Sequence, residues 1–388
     1  MKKMLFVVLV LFLYCKQNSY SLAPVSDFAT STIELKNFID ASKLRRIGSG
    51  GMGIVYKLQL GGKKYVVKVF KDAENPRARL NVEREIQALL NVKDLPYGVM
   101  KILSSHELGW AKDKPSTYHF TFQGRPAIVA NYVEGKTLRE TIEADKDAPY
   151  LDRLIKGYSI AIHVAEILKR LHERKLYHRD IKPDNIIITP VMMKERTYHT
   201  ATIIDFGISF YKTDTGELLD GISGTPEYMD PEDIQKRNPN EYTDRYALCQ
   251  IIFEIFSGQR FIRLSQKGSI HEVLLRKQNK MASQHIDAVY VDAHPLLREF
   301  FKKGLNANRS ERFEDWNSFL LGLKQAFRAE FLRVHRLQKE HPGLWLNGPS
   351  SLALSNGELG LLETLPIDFD LAELDLPVAT TIAFEEAA

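Results

Sequence analysis

Cysteine is nearly absent from the sequence, with only Cys15 and Cys249 in 388 residues. A disulfide framework and a cysteine-rich metal centre are thereby excluded. An excess of charge of one sign is lacking too. Fifty-three Lys and Arg stand against 49 Asp and Glu, a formal charge of +4 that is too weak and too mixed to mark a nucleic-acid binder. No repeat of fixed period is present, and the first apolar block falls short of the roughly 20 residues a spanning helix needs. What is there, 44% hydrophobic and 26% charged residues, is an ordinary globular composition, which argues against wholesale disorder, collagen and multispan membrane architectures. At roughly 100 to 200 residues per domain, the length allows two or three units, or one large two-lobed body with tails.

The two ends differ from the middle. Met1-Lys2-Lys3 precedes an apolar block from Met4 to Cys15, followed by polar Lys16-Gln17-Asn18-Ser19. This order resembles a secretory signal, with Ser19, Ser21 and Ala23 where cleavage could occur. An uncleaved membrane anchor and a buried helix are the alternatives. Removal of the signal would leave Cys249 alone. From Asn347 to Ala388 there is no Lys, Arg or His, and eight acidic residues fall within 42 positions. They alternate with Leu, Ile and Phe, as in disordered segments that order on a partner. A solvated tail, a clamp onto the basic body and a terminal export or recognition signal compete for this segment. The expected division is 1–23 signal or anchor, 24–43 linker, 44–327 main folded body, 328–346 helical extension and 347–388 acidic tail.

Between the ends, residues from about Leu44 to Leu103 alternate in strand fashion around a glycine cluster, interrupted by a helical stretch from Pro76 to Val92. Arg125–Val133 reads as another strand. After Gly135 the period becomes helical: Tyr158, Ile162, Ala165, Leu168 and Leu171 share one face, as do Trp316, Leu320, Leu323, Phe327 and Phe331 before Pro342. A small sheet-rich portion thus precedes a larger helix-rich one, and a cleft between unequal lobes is the expected place for a site.

Gly48-Ser49-Gly50-Gly51-Met52-Gly53-Ile54-Val55 lies between two apolar strands instead of opening a helix. That context favours a flap over phosphates above a dinucleotide fold. Lys68, flanked by Val67 and Val69, is costly inside a strand unless its ammonium meets anions. Glu85 is the expected partner and Glu83 the competing one; a solvated edge lysine is the bland reading. Tyr177-His178-Arg179-Asp180-Ile181-Lys182-Pro183-Asp184-Asn185 sets Asp180, Lys182 and Asn185 in one loop before an apolar strand. A second carboxylate, Asp205, ends the strand Ile203-Ile204 ahead of Phe206-Gly207. Two carboxylates, an amide oxygen and two lysines form the kit for Mg²⁺-assisted phosphoryl transfer, in which hard oxygens bind the metal and one carboxylate receives a hydroxyl proton.

In this combination the chain resembles the eukaryotic-type protein kinase superfamily, of Ser/Thr type, over roughly Leu44–Phe327. The resemblance implies an α+β fold of two lobes, a small β-rich N-lobe and a larger α-helical C-lobe. It implies ATP and Mg²⁺ as cofactors, with Mn²⁺ as a substitute, and proteins as substrates. Gly48, Ser49, Gly50, Gly51, Met52, Gly53 and Val55 would cover the nucleotide, and Lys68 would bind its α and β phosphates while pairing with Glu85. Asn131 and Val133 would supply the backbone hinge for adenine behind Ala130, the small residue guarding the pocket. Asp180 would be the catalytic base, Lys182 the γ-phosphate partner, and Asn185 and Asp205 the metal ligands.

Gly224-Thr225-Pro226-Glu227-Tyr228-Met229-Asp230-Pro231-Glu232 resembles the end of an activation segment, whose Glu232 would pair with Arg312. Thr213, Thr215 and Ser223 are candidate phosphate acceptors facing Arg179. Two departures, Asp230 where Ala is usual and Cys249 where Gly is common, threaten packing more than catalysis. A pseudokinase scaffold is the main rival function and a small-molecule kinase a lesser one. No nucleic acid is expected as partner, and membrane contact only through the N-terminal segment. The start of the chain suggests export or membrane association, including work inside a host cell, with a cytoplasmic enzyme as the alternative.

Overall fold

The computed structural model describes residues 32–51, 53–71, 76–193, 196–211, 224–236, 239–262 and 269–341. Met52, the N-terminal segment, the acidic tail and Thr213, Thr215 and Ser223 lie outside them. The chain divides into two compact units, one running to Val82 and including Ile102–Asn131, the other comprising Glu83–Lys101 and the residues from Tyr132.

The first unit is built on a six-stranded sheet of β1 (Ile33–Glu34), β2 (Leu44–Ser49), β3 (Gly53–Leu60), β4 (Lys63–Phe70), β5 (Phe120–Phe122) and β6 (Arg125–Asn131). The strand order is β1-β5-β6-β4-β3-β2. Turns with positive φ at Gly61 and Gly62, and at Gln123 and Gly124, join β3 to β4 and β5 to β6, the mirror-image geometry that suits the twist of a hairpin. Leu58, Val67, Val69, Phe120, Ala127 and Val129 point to one core with Trp110. Ile33, Leu35 and Ile39 join that core, and β1 pairs in parallel with β5. Residues 33–39 are therefore part of the folded body, which corrects the linker reading over the second half of 24–43. Helix α1 (Pro76–Asn91) crosses the boundary at Val82.

The second unit is mostly helical. Its elements are β7 (Lys136–Thr137), α2 (Leu138–Ala144), α3 (Tyr150–Glu173), β8 (Leu176–Tyr177), β9 (Ile186–Met193), β10 (Arg196–Ile203), β11 (Phe210–Tyr211), α4 (Pro231–Lys236), α5 (Glu241–Ser257), α6 (Ile270–Arg276), α7 (Asn279–Val289), α8 (Pro295–Gly304) and α9 (Trp316–Glu340). Every residue of α5 from Thr243 to Ser257 is buried, its polar members Asp244, Arg245, Gln250 and Glu254 included, so this helix forms the centre of the unit. Asn240 caps its start, and Gly258, at φ 70°, ends it. The predicted faces of α3 and α9 meet: the Tyr158 and Phe327 rings stack with centroids 3.9 Å apart. Helix α9 runs unbroken past Phe327, with Phe331, Val334 and Leu337 buried. The expected extension from 328 thus begins in mid-helix.

Cys249, expected to strain the packing, is accommodated by a partner of the opposite size. A Cβ on Gly304 of α8 would lie 2.5 Å from the Cys249 sulfur, so the space the thiol takes on α5 is space that Gly304 gives up. Burial also pushes the Cys249 thiol well above the ordinary thiol range.

Candidate active site

The second unit collects the polar loop residues around Asp180. One carboxylate oxygen, Oδ2, accepts from the Lys182 ammonium at 2.7 Å and from the Asn185 amide at 3.1 Å. The other, Oδ1, accepts from the Thr225 backbone N–H at 2.9 Å and from its hydroxyl at 2.8 Å. Lys182 also donates to the Thr225 hydroxyl oxygen at 2.8 Å. Both Asp180 oxygens are held, so the carboxylate has a single orientation.

Asn185 uses its amide nitrogen for both bonds to Asp180, to the carboxylate and, at 2.8 Å, to the main-chain oxygen. Its carbonyl oxygen, a hard donor suited to Mg²⁺, is not engaged by Asp180. Its backbone carbonyl accepts from the N–H of Ile204 at 3.0 Å, which brings Asp205 into the same neighbourhood. Among the described residues no cluster of three His, Cys, Asp or Glu side chains could hold a metal by itself. The donor set fits an ion that draws its remaining oxygens from phosphate and water.

Two residues here carry positive φ without being glycine, Arg179 at 71° and Asp205 at 64°. Such conformations cost free energy and persist only where neighbours impose them. The neighbour of Arg179 is Asp244, fully buried at the start of α5. It accepts from the backbone N–H groups of His178 and Arg179, each at 2.8 Å. It also bonds His172 at 2.8 Å, and His172 in turn takes the Trp316 indole N–H at 3.0 Å. Burial alone would raise the pKa of Asp244, but the bonds from His172 and the His178 backbone hold it below the ordinary value. The loop that aims Asp180 is thus bolted to the central helix. Phe206 is fully buried, with its ring edge-on to His178 at 4.9 Å, and the His178 ring bonds the Ile204 carbonyl at 3.1 Å.

In the first unit, Gly48, Ser49, Gly50, Gly51 and Gly53 lie at the β2–β3 connection, between antiparallel strands as expected. Gly53 has a steric reason: a Cβ there would lie 2.7 Å from the Val69 carbonyl oxygen. Gly50 and Gly51 have open space around them, and the Gly50 carbonyl accepts from Lys71 at 2.7 Å. Val55 pairs across the sheet with Lys68. Lys68 is not on an edge, because β4 lies between β3 and β6, and it is 7% exposed. Its ammonium lies 5.1 Å from the Phe70 ring centre. Ala130 is buried in β6, and Asn131, which ends that strand, is exposed. In the second unit Glu85 is fully buried on α1 while Glu83 is half-buried, and Val133 is half-buried before β7.

One expected pairing is corrected. Arg312 does not take Glu232; its guanidinium grips Asp230 at 2.6 and 3.1 Å. Arg309 joins the same carboxylate through Nε at 2.8 Å and reaches Asp233 at 2.6 Å. Glu232 instead accepts from the Arg309 backbone N–H at 2.9 Å and from Lys236 at 2.9 Å. Asp230, read as a packing liability, is the anchor of this end of the segment. Also missed were Asp244 as backbone clamp and the hydroxyl contact of Thr225; for neither did residue type or spacing give a signal without the fold.

Residues 41–331 match the family model described as protein kinase domain. Over 288 residues the chain is 28% identical to mouse serine/threonine-protein kinase Nek1, covering 70% of this chain and 22% of that protein. It is 27% identical over 278 residues to a probable cAMP-dependent protein kinase catalytic subunit of Encephalitozoon cuniculi, covering 70% of this chain and 75% of that one. With serine/threonine-protein kinase PknB of Mycobacterium leprae the identity is 26%, over 60% of this chain and 34% of the relative. A crystal structure of a kinase domain aligns with a TM-score of 0.53 and 17% identity, over 74% of this chain and 95% of that one, a likeness of fold. With a sheet-bearing N-terminal part, a helical C-terminal part and serine/threonine kinases as relatives, the chain belongs to the protein kinase domain family.

Proposed function

We propose that the chain is an active protein serine/threonine kinase that transfers the γ-phosphoryl group of ATP to serine or threonine hydroxyls of proteins. The observation that carries this reading is the fourfold grip on Asp180 by Lys182, Asn185 and Thr225. A carboxylate so oriented accepts the proton of the attacking hydroxyl as the oxygen closes on phosphorus. Lys182, beside it, offsets charge on the transferring group. Lys68 takes the α and β phosphates, and the backbone of Gly48–Gly53 covers them. Asn131 and Val133 offer main-chain groups to adenine. Asn185 and Asp205 hold Mg²⁺, which when bound neutralises phosphate charge and fixes its oxygens.

The test is transfer of labelled phosphate from ATP to a generic Ser/Thr substrate protein, with Mg²⁺, by the full chain and by Asp180→Asn. The unmodified chain transfers phosphate, and the variant loses about 10²- to 10⁴-fold in kcat while still binding nucleotide. Nucleotide binding without any transfer by the unmodified chain would replace this reading with that of a pseudokinase scaffold.

A further inference from the structure

Beside Asp180 lies a second cluster of buried polar groups that phosphoryl transfer does not use. Glu254 on α5 is 3% exposed. One of its oxygens accepts from the Tyr228 hydroxyl at 2.7 Å and the other from the Arg139 guanidinium. Arg139 also donates to the Tyr228 oxygen at 2.5 Å and lies 3.5 Å from Asp184. Arg260, half-exposed, flanks Glu254 at 3.7 Å. A buried carboxylate needs a cation, and here α2 supplies it from within the chain. The Thr137–Glu140 capping box fixes the start of α2 and so holds Arg139 in place.

The position of the cluster gives it a function. Asp184 is in the loop between Asp180 and Asn185, and Tyr228 closes the turn that begins at Thr225, its N–H donating to the Thr225 carbonyl at 2.9 Å. Both walls therefore continue the two segments that grip Asp180. A peptide presenting its hydroxyl to Asp180 would lay its neighbouring residues along one of these walls, where the Asp184 side chain is 54% exposed.

We propose that Arg139 fills, from inside the chain, a carboxylate-walled subsite next to the acceptor hydroxyl, and thereby makes the enzyme select against substrates with arginine or lysine beside the phosphoacceptor. The proposal rests on the kinase reading above. With Arg139 in place, an incoming guanidinium meets a cation and finds Glu254 already paired, so discrimination comes from repulsion and from occupancy. Loss of the Arg139 charge leaves Glu254, Tyr228 and Asp184 as acceptors for a guanidinium, with the half-exposed Arg260, 3.7 Å from Glu254, as the cation an incoming group must displace.

The experiment compares kcat/KM for Ser/Thr peptides in which each flanking position is set in turn to Ala, Arg or Glu, using the full chain, Arg139→Ala, Arg139→Gln and Arg139→Lys. The unmodified chain and Arg139→Lys give no advantage to Arg at any flanking position. Arg139→Ala and Arg139→Gln favour Arg over Ala at one position by about tenfold, the factor expected for one new buried charge pair. A tenfold preference for Arg in the unmodified chain overturns the proposal without any variant. So does an unchanged preference in Arg139→Gln, which keeps a polar side chain on the same aliphatic stem should Arg139→Ala fail to fold. If no peptide is phosphorylated, the kinase reading falls, and arginine methyl ester is then titrated onto the same proteins by calorimetry. Binding to Arg139→Gln but not to the unmodified chain supports the subsite, and equal binding to both overturns it.

Discussion

Replacing Asp230 by alanine, the residue the family resemblance leads one to expect there, should destabilise this protein substantially. The carboxylate is fully buried and carries three guanidinium contacts, at 2.6, 2.8 and 3.1 Å, besides the N–H of Glu232 at 2.8 Å. Without it Arg312 keeps the carbonyls of Asn306 and Ala307 and the face of the Tyr246 ring, 4.5 Å away, but no carboxylate among the described residues, while Arg309 still has Asp233. Removing one partner of a buried pair costs about 3–5 kcal/mol, because the remaining charge stays desolvated. Since Arg309 retains a carboxylate, the lower part of that range is expected for Asp230→Ala. Glu232→Ala, which loses only a backbone contact and the exposed Lys236, should cost about 1 kcal/mol or less. Urea unfolding of the full chain followed by circular dichroism measures both. Adding Arg312→Met to Asp230→Ala should recover part of the loss, as both ends of the pair are then gone. Equal costs for Asp230→Ala and Glu232→Ala, or less than about 1 kcal/mol for the former, would refute the assignment of Asp230 as the anchor. The two arginines overcome the cost of burial and hold the Asp230 carboxyl below its ordinary pKa. Its stabilisation is thus fully present above the unfolded value of 3.8 and is lost as pH falls through the lower folded value.

Lys277 offers the opposite pH signature. It is fully buried, donating to the carbonyls of Pro226 and Met229, and burial lowers its pKa from 10.5 to about 7. Folding therefore expels a proton between those two values, and stability rises with pH across that window; in Lys277→Met the rise is smaller, and identical slopes from pH 6 to 9 in urea titrations would contradict the burial effect. Ala130→Met should reduce the use of ATP analogues enlarged on the adenine ring more than the use of ATP, read as a ratio of kcat/KM values; an unchanged ratio counts against Ala130 as the guard. N-terminal sequencing of the chain purified from cell fractions should find it beginning after residue 19, 21 or 23, and an intact Met1 on soluble cytoplasmic protein would exclude cleavage.

The parts of the site that could be read from the sequence are those in which neighbours along the chain are also neighbours in space. Asp180, Lys182 and Asn185 fall within six positions of one loop, and local geometry brings them together whatever the surroundings. For Lys68 it was the buried, inner-strand position that could be read, because a charge among β-branched residues is anomalous in itself. By contrast, the exchange of Glu232 for Asp230 as partner of Arg312 turns on which of two nearby carboxylates faces inward, and α4 begins only at Pro231. Asp244 bonds the backbone of a loop more than sixty positions earlier, a contact that no periodicity encodes. The strand at Ile33–Glu34 is two residues long, too short for alternation to register, and only pairing with β5 makes it a strand.

The complementary fit of Cys249 and Gly304 gives the protein a built-in gauge of its own opening. Enclosed at the middle of α5 and held in its protonated form by burial, this sulfur meets an aqueous thiol reagent only when the helical unit parts. The labelling rate of Cys249 therefore times those excursions without any introduced probe.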